Sequence, residues 1–222
     1  YGNDTFIIDY SNGDPIPTGG VTLHGNNPTS GSGDAVRIVG TGLNATYLPS
    51  ATTFGSGTIT IGGRSIAFTG LEPIDYDVVG GSFTLTLPNA DDVVDIANGT
   101  LIDTVTPALT ITGTSGGVGF ENARVRGTTS LIIDTVTGGS DGNDSITITS
   151  ANNAHTNANL SIVTGAGTDA VNVNGPVVFT GSVAIDTLDV NSTGAGTINA
   201  AGGLTLTNTG TASTLTGIIG GG

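Results

Sequence analysis

The chain predicts an all-β fold and, within that class, a parallel β-helix (a β-solenoid) whose coils take about 20–26 residues each. Three observations carry the prediction. Short runs of alternating aliphatic and polar residues follow one another at a spacing of about ten residues, with Gly, Asn, Asp or Ser between them. Helix formers are scarce: Lys, Met and Gln are absent, against 38 Gly in 222 residues. Similar text also returns at fixed intervals. Thr58, Thr84 and Thr110 open "TITI", "TLTL" and "TITG" at steps of 26 residues, and Asp144-Ser145-Ile146 returns as Asp169-Ala170-Val171 after 25. The same runs also suit a β-sandwich or tandem sandwiches. Two features favour the helix. Few Asn-Gly or Asp-Gly pairs, such as Asn98-Gly99 and Asp141-Gly142, join consecutive runs as hairpins. The expected inward positions Ile59, Leu85, Ile111, Ile146, Val171 and Leu204 are also aliphatics of similar size, as stacked coils require.

Taken in order, strands are expected at Thr5 to Asp9, Val21 to His24 and Ala35 to Val39, each entered from a Gly- or Asn-rich turn. Thr58 to Ile61, Ser65 to Phe68, Ile74 to Val78 and Ser82 to Leu87 follow, with Gly residues between them. Val93 to Ile96, Leu109 to Thr112, Ala123 to Arg126 and Leu131 to Asp134 alternate in the same way. Ser145 to Thr149, Leu160 to Val163, Ala170 to Asn174 and Val177 to Thr180 come next. The last set is Val183 to Val190, Thr197 to Asn199 and Leu204 to Thr207, where Val183 and Leu204 lie 21 residues apart. Ile111 to Ile146 spans 35 residues, so one coil carries an insertion, expected within Gly113 to Gly127. Residues 1–56, crowded with Pro15, Pro17, Pro28 and Pro49, form an N-terminal β region, either a cap or less regular coils, ahead of repeats over 57–222.

The formal net charge is −14, with Arg37, Arg64, Arg124 and Arg126 the only basic side chains besides two His. Such a field repels nucleic acid and anionic lipid and favours cations. No run approaches the roughly 20 apolar residues of a membrane helix, so membrane insertion is not expected. Without Cys or Lys there is no disulfide, thiolate metal site, Schiff base or P-loop. A composition this poor in charge, sulfur and aromatics predicts an exported protein. The start at Tyr1 and the Gly220-Gly221-Gly222 ending suggest a processed product or a segment of a longer polypeptide.

The strongest local signal is a Gly-rich turn, then Asp, then alternating aliphatics, at Asp4, Asp34, Asp144 and Asp169, with Asp141 inside "GGSDGNDSI". Such turns let carboxylate and carbonyl oxygens surround a hard cation, which makes these five residues candidate calcium ligands. Asp in a turn also bonds its own backbone, a purely structural role. The outward pairs Thr58/Thr60, Thr84/Thr86, Thr110/Thr112, Thr147/Thr149 and Thr205/Thr207 read either as ordinary solvent-facing strand residues or as a flat ice-binding array. Asp91, Asp92 and Asp95 are the one tight acidic cluster, with Asp91 and Asp95 on one strand face, but no basic partner for sugar chemistry accompanies them. No catalytic residue is assigned. Asn-x-Ser/Thr triplets beginning at Asn3, Asn44, Asn98, Asn143, Asn159 and Asn191 are about as many as this composition supplies by chance.

"GNDTF", "FTGLEPIDYDVVGG" over 68–81 and "GGSDGNDSITIT" resemble repeat text of giant secreted or surface proteins of bacteria, including planctomycete-like giant proteins and adhesins of the calcium-repeat or filamentous-haemagglutinin kind. "TGAGTDAVN" is similar to the calcium-binding nonapeptide at all positions but Thr164, though the tandem of nines is missing. The resemblance implies a parallel β-helical stalk, an extracellular or cell-surface address and a structural or adhesive role, with calcium as the only implied cofactor. The expected function is therefore a noncatalytic building block that associates with copies of itself. The alternative is a calcium-dependent module binding surface glycans.

Overall fold

The computed structural model describes residues 3–25, 33–192, 195–208, 214–215 and 219–220. Among them every regular element is a strand. β1 (Thr5–Asp9), β2 (Val21–His24), β3 (Asp34–Thr41) and β4 (Asn44–Pro49) come first, and β5 (Ser56–Ile61), β6 (Arg64–Thr69), β7 (Leu71–Val79) and β8 (Ser82–Thr86) follow. Then come β9 (Asp92–Thr100), β10 (Pro107–Ser115), β11 (Val118–Gly119), β12 (Ala123–Arg126) and β13 (Ser130–Asp134). The C-terminal half holds β14 (Ser145–Ile148), β15 (Asn159–Val163), β16 (Ala170–Val173), β17 (Pro176–Phe179), β18 (Val183–Thr187) and β19 (Asp189–Ser192). β20 (Thr197–Ala200), β21 (Leu204–Asn208), β22 (Thr214–Leu215) and β23 (Ile219–Gly220) close the series.

The strands form two long mixed sheets and one short one. The first sheet runs β1-β3-β7-β12-β10-β9-β14-β16-β19-β22 and the second β2-β6-β5-β4-β8-β13-β15-β18-β21, while β17, β20 and β23 make the third. From β12 onward the chain passes alternately from the first sheet to the second, and in the later passes it crosses the third on the way. The inner faces share one core, in which Ile146, Val171 and Val190 of the first sheet join Leu131, Leu160 and Val183 of the second. In the N-terminal half the same space is filled by rings. Tyr76 of β7 meets Phe83 of β8 with centroids 5.0 Å apart, and Tyr47 meets Phe68 at 5.8 Å. Each fully buried Ile, Leu or Phe side chain contributes about 1.5–3 kcal/mol of transfer free energy.

Two of the expected recurrences are strand registers. Ile146 lies beside Val171, and Val183 and Ile185 beside Leu204 and Leu206, in parallel ladders. The step of 26 residues is not one. β5 lies antiparallel between β4 and β6, and β10 lies antiparallel between β9 and β12 in the other sheet, so Thr58, Thr84 and Thr110 never stack. Alternation has a period of two in either direction and cannot distinguish parallel from antiparallel pairing. Two-residue turns decide it for β5 with β6 and for β10 with β11. Gly62 and Gly63 both have positive φ (58° and 78°), as do Gly116 and Gly117 (56° and 79°), which is what a two-residue hairpin of the I′ kind requires. Asn98-Gly99, by contrast, lies inside β9, and Asp141-Gly142 lies in the connection between β13 and β14. The insertion is also larger than expected, since the β9–β10 hairpin begins at Asp92 rather than beyond Gly113. The strands of residues 1–56 join the same two sheets as the rest.

Expected run Val183 to Val190 is two strands, β18 and β19, belonging to different sheets. Gly221 and Gly222 lie outside the described residues. Successive passes approach so closely at the corners that only Gly fits at some positions. A Cβ on Gly175 would stand 2.0 Å from the carbonyl oxygen of Thr149, whereas one on Gly19 would meet nothing within 4 Å. Gly175→Ala should therefore lower unfolding free energy by about 2–4 kcal/mol, and Gly19→Ala by no more than about 0.5 kcal/mol, measured by urea denaturation.

Candidate functional site

Of the candidate calcium residues, Asp34, Asp141, Asp144 and Asp169 lie where the chain leaves the second sheet and enters the first, and Asp4 stands just ahead of β1. Except at Asp4, the Asp side chain accepts from a neighbouring pass of the chain. The amide of Asp92 donates to Asp144 Oδ1 at 2.9 Å, and the amide of Asp144 donates to Asp169 Oδ1 at 2.9 Å. The Thr135 hydroxyl donates to Asp144 Oδ2. At the N-terminal end the amide of Asp4 donates to Asp34 Oδ1 at 2.8 Å, which repeats the device 30 residues apart. A parallel rail runs outside the first. The amide of Asn143 donates to Asp91 Oδ1, that of Thr168 to Asn143 Oδ1, and that of Ala166 to Asp141 Oδ2 at 2.7 Å.

Thus the structure brings Asp144 and Asp169 together, sets Asp141 beside them on the solvent side, and places Asp4 and Asp34 at a separate corner. Asp92, Asp144 and Asp169 are buried, the first completely. Burial pushes all three carboxyls above the ordinary range, and Asp92 reaches about 7. Nearby carboxylates add to this: Asp144, Asp91 and Asp141 around Asp92, and Asp141 beside both Asp144 and Asp169. Neither oxygen of Asp92 has a donor in hydrogen-bonding geometry, although the hydroxyl of its cross-strand partner Ser115 favours the anion. Among the described residues no group of three or more His, Cys, Asp or Glu is arranged to hold a metal ion. What the arrangement does chemically is accept backbone N–H groups that the corners would otherwise leave unpaired.

The other candidates are dispersed. Asp92 points into the core, whereas Asp95 faces outward and accepts the Thr149 hydroxyl at 2.8 Å. Asp91 sits just before the strand with φ of 58°. The arginines lie elsewhere: Arg64 pairs with Asp14 at 2.8 Å, and Arg37 with Asp77 at 2.7 Å. The threonine array is interrupted, because Thr84 is flanked by Ile132, which is followed in turn by Ser161. His155 is buried against Phe179, its Nδ1 accepting from the Asn157 amide, and burial lowers its pKa. His24 touches the Thr69 hydroxyl.

One grouping escaped the sequence reading. The chain's two glutamates, Glu72 and Glu121, meet at a cavity of about 260 Å³ with Phe54 and Arg124. The signal available was their rarity. No family model, curated protein or solved structure matches this chain.

The buried column sets a pH dependence. Asp92 titrates near 7 when folded and near 3.9 when unfolded, so the folded state holds the proton more tightly. Its stabilising contribution is complete below about pH 4, falls as pH rises to about 7, and is flat beyond. Asp103, whose bonds from Thr106 lower its pKa to about 2, acts with the opposite sign only at lower pH. Glu121, which burial pushes up to about 8, acts in the same direction as Asp92, so urea midpoints should decline between about pH 4 and pH 8, and Asp92→Asn should remove part of that decline and raise the midpoint at about pH 8.

Proposed function

We propose that this chain is a parallel β-solenoid and works as noncatalytic extracellular building material: a unit of a surface filament, sheath, surface layer or adhesin stalk that associates with its own copies. The observation that carries the reading is the run of like residues in parallel register. Leu131, Leu160, Val183 and Leu204 lie side by side along one sheet, and Ile146, Val171 and Val190 along the other. Each added pass repeats the ladder and the buried column of the pass before it. Stiffness then grows with length and needs no charged pairs.

The N-terminal edge supports self-association. Among the described residues β1 pairs only with β3 and β2 only with β6. Ile7 on β1 is 65% exposed. A cavity of about 280 Å³ opens between these edges, lined by Phe6, Ile8, Ile16, Val21 and Leu23 among others. An open edge with an apolar floor is a template for the edge of a second chain, and a head-to-tail contact that does not close yields a fibre. A calcium-organised glycan-binding module is less well supported, because both oxygens of Asp144 and of Asp141, and one of Asp169, already accept protein donors.

Negative-stain electron microscopy of the purified protein should show filaments or sheets that persist when calcium is chelated. Ile7→Lys, which puts a charge on the edge, should give dispersed particles with an unchanged circular dichroism spectrum. Dispersed wild-type particles that loosen on chelation would reverse the reading in favour of the calcium module.

A further inference from the structure

The cavity at the two glutamates is built from three separated stretches of chain. Phe54 comes from the β4–β5 loop, Glu72 and Pro73 from the start of β7, and Glu121, Asn122 and Arg124 from the entry to β12. Its floor is fixed. Glu121 is 2% exposed, and its amide donates to Tyr47 Oη at 3.0 Å, with Tyr47 itself in the core. One carboxyl oxygen, Oε1, accepts the Asn122 amide at 3.3 Å. The other, Oε2, is buried and has no hydrogen-bond partner. A buried polar atom without a partner is costly, and its retention marks a place where a ligand can supply the missing group.

The rim is equally defined. Phe54 is 58% exposed, and its ring lies against Gly119, where an added Cβ would stand 2.9 Å from it. An exposed aromatic face beside a polar pocket is an apolar platform. Arg124 reaches to 3.9 Å of Asp75 Oδ1, beyond hydrogen-bonding distance, so the guanidinium is steered by that carboxylate rather than consumed by it.

These features select among ligands. A cation is opposed by Arg124, and two carboxylates are too few for calcium, which takes 6–8 oxygens. An anion is opposed by Glu72, and a purely apolar molecule would leave Oε2 unpaired. A ring with hydroxyls on its edge and C–H groups on its face suits all of them. The cavity lies just below the roughly 300 Å³ at which sites for drug-sized ligands begin, so one ring is the right scale. We propose that this pocket binds a single neutral pyranose unit of a glycan, with Phe54 against the C–H face and Glu72, Glu121, Asn122 and Arg124 on the hydroxyls. Burial and the neighbouring Glu72 charge push the Glu121 carboxyl up to about 8, which lets it donate as well as accept at neutral pH. The site deepens the surface role proposed above by naming a partner class, but it rests on the pocket alone and holds whether or not the chain polymerises.

The test is an amide NMR titration of the dispersed Ile7→Lys full chain, or of wild type if it is already dispersed. The probes are the methyl glycosides of glucose, galactose and mannose, with calcium chloride and sodium galacturonate run separately. At least one neutral glycoside should shift the Gly55, Glu121 and Asn122 amides saturably with a Kd of about 1–10 mM. Phe54→Ala and Glu72→Gln, both at accessible positions, should each weaken that binding roughly tenfold while leaving distant amides in place. The proposal is overturned if no neutral glycoside acts at about 50 mM, if neither variant matters, or if only calcium or galacturonate shifts these amides.

Discussion

Everything in this molecule depends on giving partners to the backbone groups at its corners. Within a strand the ladder does this automatically, but where the chain turns from one sheet to the next the first amide of the new strand has no ladder partner. The solution recurs with different residues. Asp34 serves Asp4, Asp144 serves Asp92, and Asp169 serves Asp144. Asn157 Oδ1 takes the Thr128 amide, and Asn159 Oδ1 takes that of Ser182. Because each bond joins one pass of the chain to a neighbour, the corners hold the passes at a common spacing and also keep the inward aliphatics in line. The acidic composition follows from the same need, since a short side chain with an acceptor oxygen is what such a corner demands.

The first sheet carries a second kind of cross-strand order on its outer surface. Arg37, Asp75 and Arg124 lie side by side on β3, β7 and β12, and Val39, Asp77 and Arg126 form the next row. Three of the four arginines thereby flank β7, one on β3 and two on β12. Asp75 is fully buried beneath the β9–β10 turn, where its Oδ2 accepts the Ile102 amide at 2.7 Å. Burial raises its carboxyl, and the adjacent Arg124 and Arg37 oppose that rise.

Much of the strand content was legible because inward Ile, Leu and Val alternate so regularly: β1, β2 and β12 lie where the alternation puts them, and Ile59, Leu85, Ile111, Ile146 and Val171 are buried as expected. β4 was missed. "NATYLP" ends in Pro, and its pattern is carried by Ala45 and Tyr47, of which one is small and the other polar at its tip. Strand direction was not legible: the Gly-Gly turns that reverse β5 into β6 and β10 into β11 look like any other Gly-rich gap, and β4–β5 and β9–β10 reverse through longer loops. The aspartate corners were visible as a motif, but a carboxylate that accepts an amide from a distant strand and one that binds a cation have the same local spelling. Only the register, Ile146 beside Val171, shows which neighbour the side chain meets. The glutamate pocket was invisible, because Glu72 and Glu121 are brought together by the pairing of β7 with β12.

The two antiparallel excursions, β5 with β6 and β9 with β10, break an otherwise repeating pattern. A stack of near-identical rungs has a weakness that a single-register fold lacks: shifting by one whole rung leaves most side chains facing the same way, so slipped forms compete with the right one. Neither hairpin has a duplicate at the next rung, and each is wedged between particular neighbours in its sheet. They act as keys cut into a plain shaft. With them in place, the parallel ladders that start at β4 with β8 and at β9 with β14 each begin beside a hairpin that no later strand duplicates, and a strand slipped past it would find no match.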